Sequence, residues 1–211
     1  MSTHPANSEG VFAHWPNRIT AVRFVGSLAL FALFALIDEA NPRGWMMVTA
    51  FWLFIGVAFS DALDGWMARK YDLETAFGRI ADPFCDKVLI LGSMVFLAVH
   101  SFSREWMPAW IVVVVLAREF LVTGIRGYVE SLGMNFGADW FGKIKMIAQS
   151  LAVGFLMGMF TFPWNDTLFE LLGWITHALV WITLLTSVGS GYNYVRKTQR
   201  LLSEYAMENR G

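Results

Sequence analysis

Six apolar stretches in this chain are each long enough to cross a lipid bilayer. A helix rising about 1.5 Å per residue needs about 20 apolar residues to cross roughly 30 Å of hydrocarbon. Charged residues make up 16% of the chain, against about 25% in soluble domains, and the mean hydropathy is +0.48. We therefore predict an all-α integral membrane protein with six transmembrane helices. These lie near residues 18–37, 45–68, 79–101, 107–131, 142–162 and 168–195.

Positive charge is divided unevenly between the two sides that six crossings would create. All but two of the 16 Lys and Arg residues, the exceptions being Arg43 and Arg104, lie on the side that the two termini share. Because cytoplasmic loops are enriched in Lys and Arg, both termini are expected in the cytoplasm and the protein in the cytoplasmic (inner) membrane. The expected divisions are a cytoplasmic leader or interfacial helix at 1–16, a transmembrane domain at 17–197 and a cytoplasmic tail at 198–211.

Four carboxylates stand where the second apolar stretch ends and the third begins. Asp61 and Asp64 are three residues apart, and Asp82 and Asp86 are four apart, so each pair shares one face of its helix. Four carboxylates packed together stay ionised only if cations neutralise them. Oxygen ligands suit Mg²⁺ or Mn²⁺. We therefore expect a polar, metal-containing cavity on the cytoplasmic side.

Residues between the two acidic pairs have properties that suit a phosphate ligand. Gly65 and Gly78 lack side chains, so a nucleotide or diphosphate can approach the helix backbone closely. Arg69 offers a planar, permanently charged fork for phosphate oxygens. Cys85, the single cysteine, is interpreted as a small core residue.

The whole stretch has the spacing D-x2-D-G-x2-A-R-x8-G-x3-D-x3-D, from Asp61 to Asp86. It resembles the signature of the CDP-alcohol phosphotransferases, membrane enzymes of phospholipid synthesis that usually form homodimers. The resemblance implies two metal ions, with Asp61, Asp64 and Asp82 as ligands. Asp86 would contact the second metal and act as the general base. The residues implied to bind the CDP-linked lipid are Asn17, Thr20, Asp61, Gly65, Ala68, Arg69 and Gly78.

Two of those residues, Asn17 and Thr20, belong to a separate pattern at the start of the first helix. The segment PNRITAVR resembles the P-N-x-x-T-x-x-R pattern of the same family, whose polar groups line the nucleotide cavity. Asn17 is equally a candidate helix N-cap. A cytidine-facing role is the preferred interpretation for Asn17 and Thr20.

Four cations in the fourth and fifth apolar stretches indicate an anionic acceptor. Intramembrane arginines are functional candidates by default, which applies to Arg118 and Arg126. Lys143 and Lys145 open the next stretch. The alternatives are a structural salt bridge from Arg118 to Glu119, and lysines that extend towards lipid headgroups.

The segments AREFLVTGIRGYVESLG and GKIKMIAQ resemble the phosphatidylglycerophosphate synthases of that family. The resemblance implies transfer from CDP-diacylglycerol to sn-glycerol 3-phosphate, with release of CMP and with the four cations holding the acceptor phosphate. Alternative acceptors are an inositol phosphate, or phosphatidylglycerol in a cardiolipin-forming reaction. The other partners expected are membrane lipids, and no nucleic acid. A cation transporter is the alternative from another class, although Arg69 argues against a pure cation path.

Overall fold

A computed structural model of the chain describes residues 15–71, 76–134 and 140–208. Within these ranges, the side chains of residues 15–18, 61–71, 76–80, 82, 204–206 and 208 are outside the description. The predicted leader therefore lies outside the described residues, apart from its last two backbone positions.

Six α-helices and no strand occur in this described part of the chain, as the apolar stretches predict. Every helix except the last begins and ends within a few residues of its predicted limits. The helices are α1 (Trp15–Leu36), α2 (Trp45–Tyr71), α3 (Ala76–Val99), α4 (Ala109–Ser131), α5 (Trp140–Thr161) and α6 (Asp166–Glu208).

Three of the described helices are long and apolar enough to cross a membrane. These spans are Ile19–Leu36, Trp140–Thr161 and Asp166–Ser203. The apolar part of α2, Trp45–Ser60, is shorter. In α3 the charged residues precede the apolar run, and in α4 Arg118 and Glu119 interrupt it. The chain is thus a membrane protein, and the count of six crossings stays a prediction.

The last helix is longer than predicted. α6 has 43 residues and is therefore about 65 Å long, roughly twice the thickness of the hydrocarbon layer. The prediction ended at residue 195 because Arg196 and Lys197 end the apolar run. A helix can continue through charged residues because its hydrogen bonds join backbone groups, and Lys, Gln, Arg and Leu are good helix formers.

The chain divides into two compact units, Met1–Ser93 and Met94–Gly211. In the first unit, α1 packs against α2. Two glycines of this unit allow close packing, Gly26 of α1 against α2 and Gly92 of α3 against α1. A Cβ added to Gly26 would stand 2.8 Å from Cγ2 of Val57, and one added to Gly92 would overlap the ring of Phe31.

In the second unit, α6 packs against both α4 and α5. Local signals fix the ends of these helices. Gly133 follows α4 with φ of 75°, and its N–H donates to the carbonyl of Glu130 at 3.0 Å, a glycine C-terminal cap. Asn165 caps the start of α6, because its Oδ1 accepts from the N–H of Leu168 at 2.8 Å.

Candidate functional site

The four predicted metal-ligating aspartates lie on helices, as expected. Asp61 and Asp64 are in the C-terminal half of α2, and Asp82 and Asp86 are near the start of α3. Each pair is spaced by about one helical turn, so each pair shares a face of its own helix. The side chains of Asp61, Asp64 and Asp82 lie outside the described residues.

Most of the other residues predicted to bind the CDP-linked lipid also have side chains outside the described part of the structure. Gly65, Ala68 and Arg69 are in α2 and Gly78 is in α3, but their surroundings are outside the description. Asn17 lies within α1, which begins at Trp15, so the structure does not place it at the N-cap. Its side chain is also outside the description.

Asp86 is the described member of the acidic set, and it is paired with an arginine of α1. Arg23 Nη1 donates to Asp86 Oδ1 at 3.1 Å. The Arg23 side chain is 1% exposed and that of Asp86 is 29% exposed. A buried arginine thus holds the carboxylate in place while part of that carboxylate stays accessible.

Thr20 lies one turn before Arg23 on α1 and is buried. Its carbonyl oxygen is 3.9 Å from Sγ of Cys85, the residue next to Asp86. The structure therefore brings Thr20, which was predicted to bind the CDP-linked lipid, close to the neighbour in sequence of the predicted general base, Asp86. Cys85 is 4% exposed, which confirms its interpretation as a core residue.

The second unit contains a buried charge cluster built from three helices. Arg118 Nη1 donates to Glu119 Oε1 at 2.7 Å, and Lys145 of α5 donates to the same oxygen. Arg118 Nη2 also donates to Oγ of Ser190 on α6. The salt bridge from Arg118 to Glu119 is thus present, and the structure adds Lys145 to it. All three charged side chains are at least nine-tenths buried.

The other two predicted cations differ from each other in their surroundings. Arg126 of α4 donates to the hydroxyl of Tyr194 on α6 and lies 5.0 Å from the centre of its ring. Lys143 is exposed, because two residues of helix turn it by about 200° from Lys145. The structure therefore buries Arg118 and Lys145, gives the exposed Arg126 a buried partner in Tyr194, and leaves Lys143 at the surface.

The acidic set fits a divalent metal by the chemistry of its donors. It offers carboxylate oxygens alone, which suits Mg²⁺ or Mn²⁺. Among the described side chains, no group of three or more His, Cys, Asp or Glu residues could hold a metal. Asp86 is among the described side chains, whereas Asp61, Asp64 and Asp82 are not, so the metal site remains a prediction.

Comparison with known proteins identifies the family. The family described as CDP-alcohol phosphatidyltransferase matches residues 13–189, most of the chain. The chain belongs to this family. A relative from Bacillus subtilis (strain 168), named CDP-diacylglycerol–glycerol-3-phosphate 3-phosphatidyltransferase, is 32% identical over 201 residues, covering 89% of this chain and 96% of the relative. A Rickettsia bellii (strain RML369-C) protein of the same name is 28% identical over 185 residues, covering 88% of this chain and 95% of the relative.

Three contacts of this CDP-alcohol phosphatidyltransferase were not predicted. Arg23 was part of the first-helix pattern but was given no role, although its spacing from Thr20 puts both on one face. Ser190 and Tyr194 follow the last residue of the family match. Hydroxyl residues are common in membrane helices, so neither residue stands out by its type. Only their spacing of four residues within an apolar run, which puts both on one face of α6, could have indicated a shared role.

Proposed function

We propose that this protein transfers the phosphatidyl group of CDP-diacylglycerol to sn-glycerol 3-phosphate, giving phosphatidylglycerophosphate and CMP. The family supports the reaction class, and the names of the curated relatives support the substrates. The observation that carries the acceptor assignment is that two buried cations, Arg118 and Lys145, converge on Glu119. Cations held close together in this way suit a phosphorylated acceptor, because phosphate oxygens accept strong hydrogen bonds from Arg and Lys.

The donor binds through the aspartate-rich segment. Asp61, Asp64 and Asp82 would hold the metal, which we infer to be two ions of Mg²⁺ or Mn²⁺, and Asp86 would contact the second ion. When bound, such ions neutralise charge on the diphosphate and on the departing CMP. The residues assigned to the CDP-lipid are Asn17, Thr20, Asp61, Gly65, Ala68, Arg69 and Gly78.

Asp86 acts as the general base. The acceptor hydroxyl oxygen forms a bond to the lipid-linked phosphorus, the bond from that phosphorus to the CMP oxygen breaks, and the hydroxyl proton passes to Asp86. Arg23 supports this role because its contact at 3.1 Å fixes one carboxylate oxygen. The partial exposure of Asp86 leaves room for the acceptor to reach it.

Charge supports a phosphate monoester as the acceptor. Arg118 and Lys145 are buried and together exceed Glu119 by one positive charge. Arg126 is exposed but contacts the same Tyr194 ring as Arg118, and with it the local excess is two. A phosphate monoester carries about −1.5 to −2 charges near neutral pH, whereas a phosphodiester carries one. Glycerol 3-phosphate and an inositol phosphate therefore fit better than phosphatidylglycerol. Lys143, being exposed, serves to attract the anion from solution.

The membrane arrangement follows the charge asymmetry. Six crossings, with residues 17–197 in the membrane domain and both termini cytoplasmic, put the acidic helix ends on the side where water-soluble glycerol 3-phosphate is available. The leader 1–16 and the tail 198–211 are then cytoplasmic, and the enzyme resides in the cytoplasmic membrane. A homodimer is the proposed assembly, by family resemblance.

One assay tests the proposal. Purified protein in detergent receives CDP-diacylglycerol and Mg²⁺ or Mn²⁺, with glycerol 3-phosphate, inositol phosphate, phosphatidylglycerol or serine in separate reactions. CMP release that depends on glycerol 3-phosphate is expected. Release with inositol phosphate alone would refute the acceptor, and no release with any acceptor would refute the enzyme class. Such a result would favour the cation transporter, which ion flux into proteoliposomes would detect.

A further inference from the structure

A line of buried hydroxyl groups runs along one side of α6. Its members are spaced by three or four residues, so they share one face of the helix. Residues between them, such as Leu185 and Tyr192, are 67% and 66% exposed. This hydroxyl stripe consists of Thr183, Ser187, Ser190, Tyr194 and Thr198, which are all at most 8% exposed.

The stripe contacts both arginines of α4. Ser190 accepts from Arg118 and Tyr194 accepts from Arg126. The Tyr194 ring also lies 5.8 Å from the Arg118 guanidinium and 5.0 Å from that of Arg126. Hydrogen bonds to charged groups are among the stronger ones in proteins. Two such bonds, one turn apart on α6, fix the direction in which both guanidinium groups point.

Gly191 gives Arg118 the space to lie against α6. A Cβ built on Gly191 would be 3.2 Å from Cγ of Arg118, whereas a Cβ built on Gly189 would meet nothing within 4 Å. The Arg118 side chain therefore lies against Gly191 and not against Gly189. This difference provides a matched pair of substitutions.

Among the described residues, two buried polar atoms near these contacts have no hydrogen-bond partner. They are Nε of Arg118 and Oγ of Ser187. Buried polar groups normally have partners, and leaving one without a partner costs about 1–3 kcal/mol. Ser187 is one turn from Ser190 on the hydroxyl stripe. A polar ligand beside Arg118 would supply the missing partners.

We infer that the hydroxyl stripe of α6 forms one wall of the acceptor site, where Ser190 and Tyr194 are positioning residues that aim Arg118 and Arg126 at the acceptor phosphate. This inference rests on the proposed function for the identity of the acceptor. Ser190 and Tyr194 act through the arginines, so their loss should weaken acceptor binding and leave donor binding unchanged.

The test uses two variants and two matched controls in the full-length protein. Tyr194→Phe removes one hydroxyl and keeps the ring, and its control is Tyr192→Phe at an exposed site. Gly191→Ala displaces the Arg118 stem, and its control is Gly189→Ala. We expect Tyr194→Phe to raise the KM for glycerol 3-phosphate about tenfold, because it removes one hydrogen bond to a charged group. We expect Gly191→Ala to raise this KM by a smaller factor, because its Cβ would push the Arg118 stem aside by only a few tenths of an ångström. The KM for CDP-diacylglycerol should change less than twofold in all four proteins.

Calorimetric binding of glycerol 3-phosphate and of inorganic phosphate gives a readout independent of turnover. Weaker binding in Tyr194→Phe and Gly191→Ala than in their controls supports the inference, even if wild-type protein releases no CMP and the proposed function fails. Active variants whose acceptor KM and affinity match the controls would overturn the inference and leave the proposed function standing. Equal increases in both substrate KM values would also overturn it, because they indicate a general structural defect.

Discussion

Glu119 lies between two buried cations, so its replacement should lower stability and also reveal whether these cations bind the acceptor. Glu119→Gln keeps the shape of the side chain and removes its charge. At 2.7 Å, the attraction between Arg118 and Glu119 is about 6 kcal/mol for an effective dielectric constant near 20. Desolvation offsets part of that attraction, and removing one partner of a buried pair typically costs about 3–5 kcal/mol.

This loss should be measurable by thermal unfolding in detergent. For a chain of this size, about 2–4 °C of Tm corresponds to each kcal/mol, so we expect Glu119→Gln to lower Tm by on the order of 10 °C. Glu130→Gln is the matched control, since Glu130 is on the same helix and is exposed. A Tm within about 2 °C of that control would refute the reasoning.

The same variant tests the link to the acceptor. If the phosphate of glycerol 3-phosphate binds Arg118 and Lys145, it replaces the negative charge that Glu119→Gln removes. Saturating glycerol 3-phosphate should then raise the Tm of Glu119→Gln more than that of wild type. The double variant Glu119→Gln with Lys145→Met should recover part of the stability and lose this ligand effect. Equal ligand-induced shifts in wild type and Glu119→Gln would place the acceptor phosphate elsewhere.

Four further predictions concern the CDP-diacylglycerol half of the reaction and the packing around it. Asp86→Asn should abolish CMP release while CDP-diacylglycerol binding, measured by calorimetry, survives; near-normal turnover would exclude Asp86 as the base. Arg23→Gln should lower kcat at least tenfold, because Asp86 loses a charged hydrogen bond, and an unchanged kcat would make Arg23 a purely structural residue. Gly92→Ala should lower Tm by several degrees, since its Cβ would overlap Phe31. Gly56→Ala, whose Cβ would meet nothing within 4 Å, should keep or slightly raise Tm, because Ala favours a helix over Gly. EDTA should abolish CMP release, and added Mg²⁺ or Mn²⁺ should restore it; activity that persists after EDTA treatment would refute metal dependence.

The sequence predicted the helices well because apolar length decides where a membrane helix can form. It predicted the end of α6 poorly, since the apolar run ends at Arg196 and the helix does not. The same reasoning identified the acidic pairs, whose spacing is a property of one helix. Helical spacing identified Asp86 but could not predict its contact with Arg23, because the two residues are 63 positions apart in the chain.

The charge cluster shows a second limit of prediction from sequence. A salt bridge from Arg118 to Glu119 was one of the alternatives drawn from the sequence, although residues adjacent in a helix do not normally face each other. The long arginine side chain makes the contact possible, and Lys145 and Ser190 complete it from other helices. Lys143 and Lys145 could have been separated in advance, because two residues place them on different faces of α5.

The cluster around Glu119 also bears on how the protein is assembled. Lipid tails are as apolar as leucine, so burial of apolar surface does little to bring membrane helices together, and packing and interhelical hydrogen bonds must do so. Arg118, Glu119, Lys145 and Ser190 join α4, α5 and α6 through such bonds. The residues that the proposed function assigns to the acceptor, Arg118 and Lys145, therefore also hold the helices together. Under that proposal, a single charge exchange at either residue would weaken helix packing as well as acceptor binding, so a change of acceptor would call for compensating exchanges.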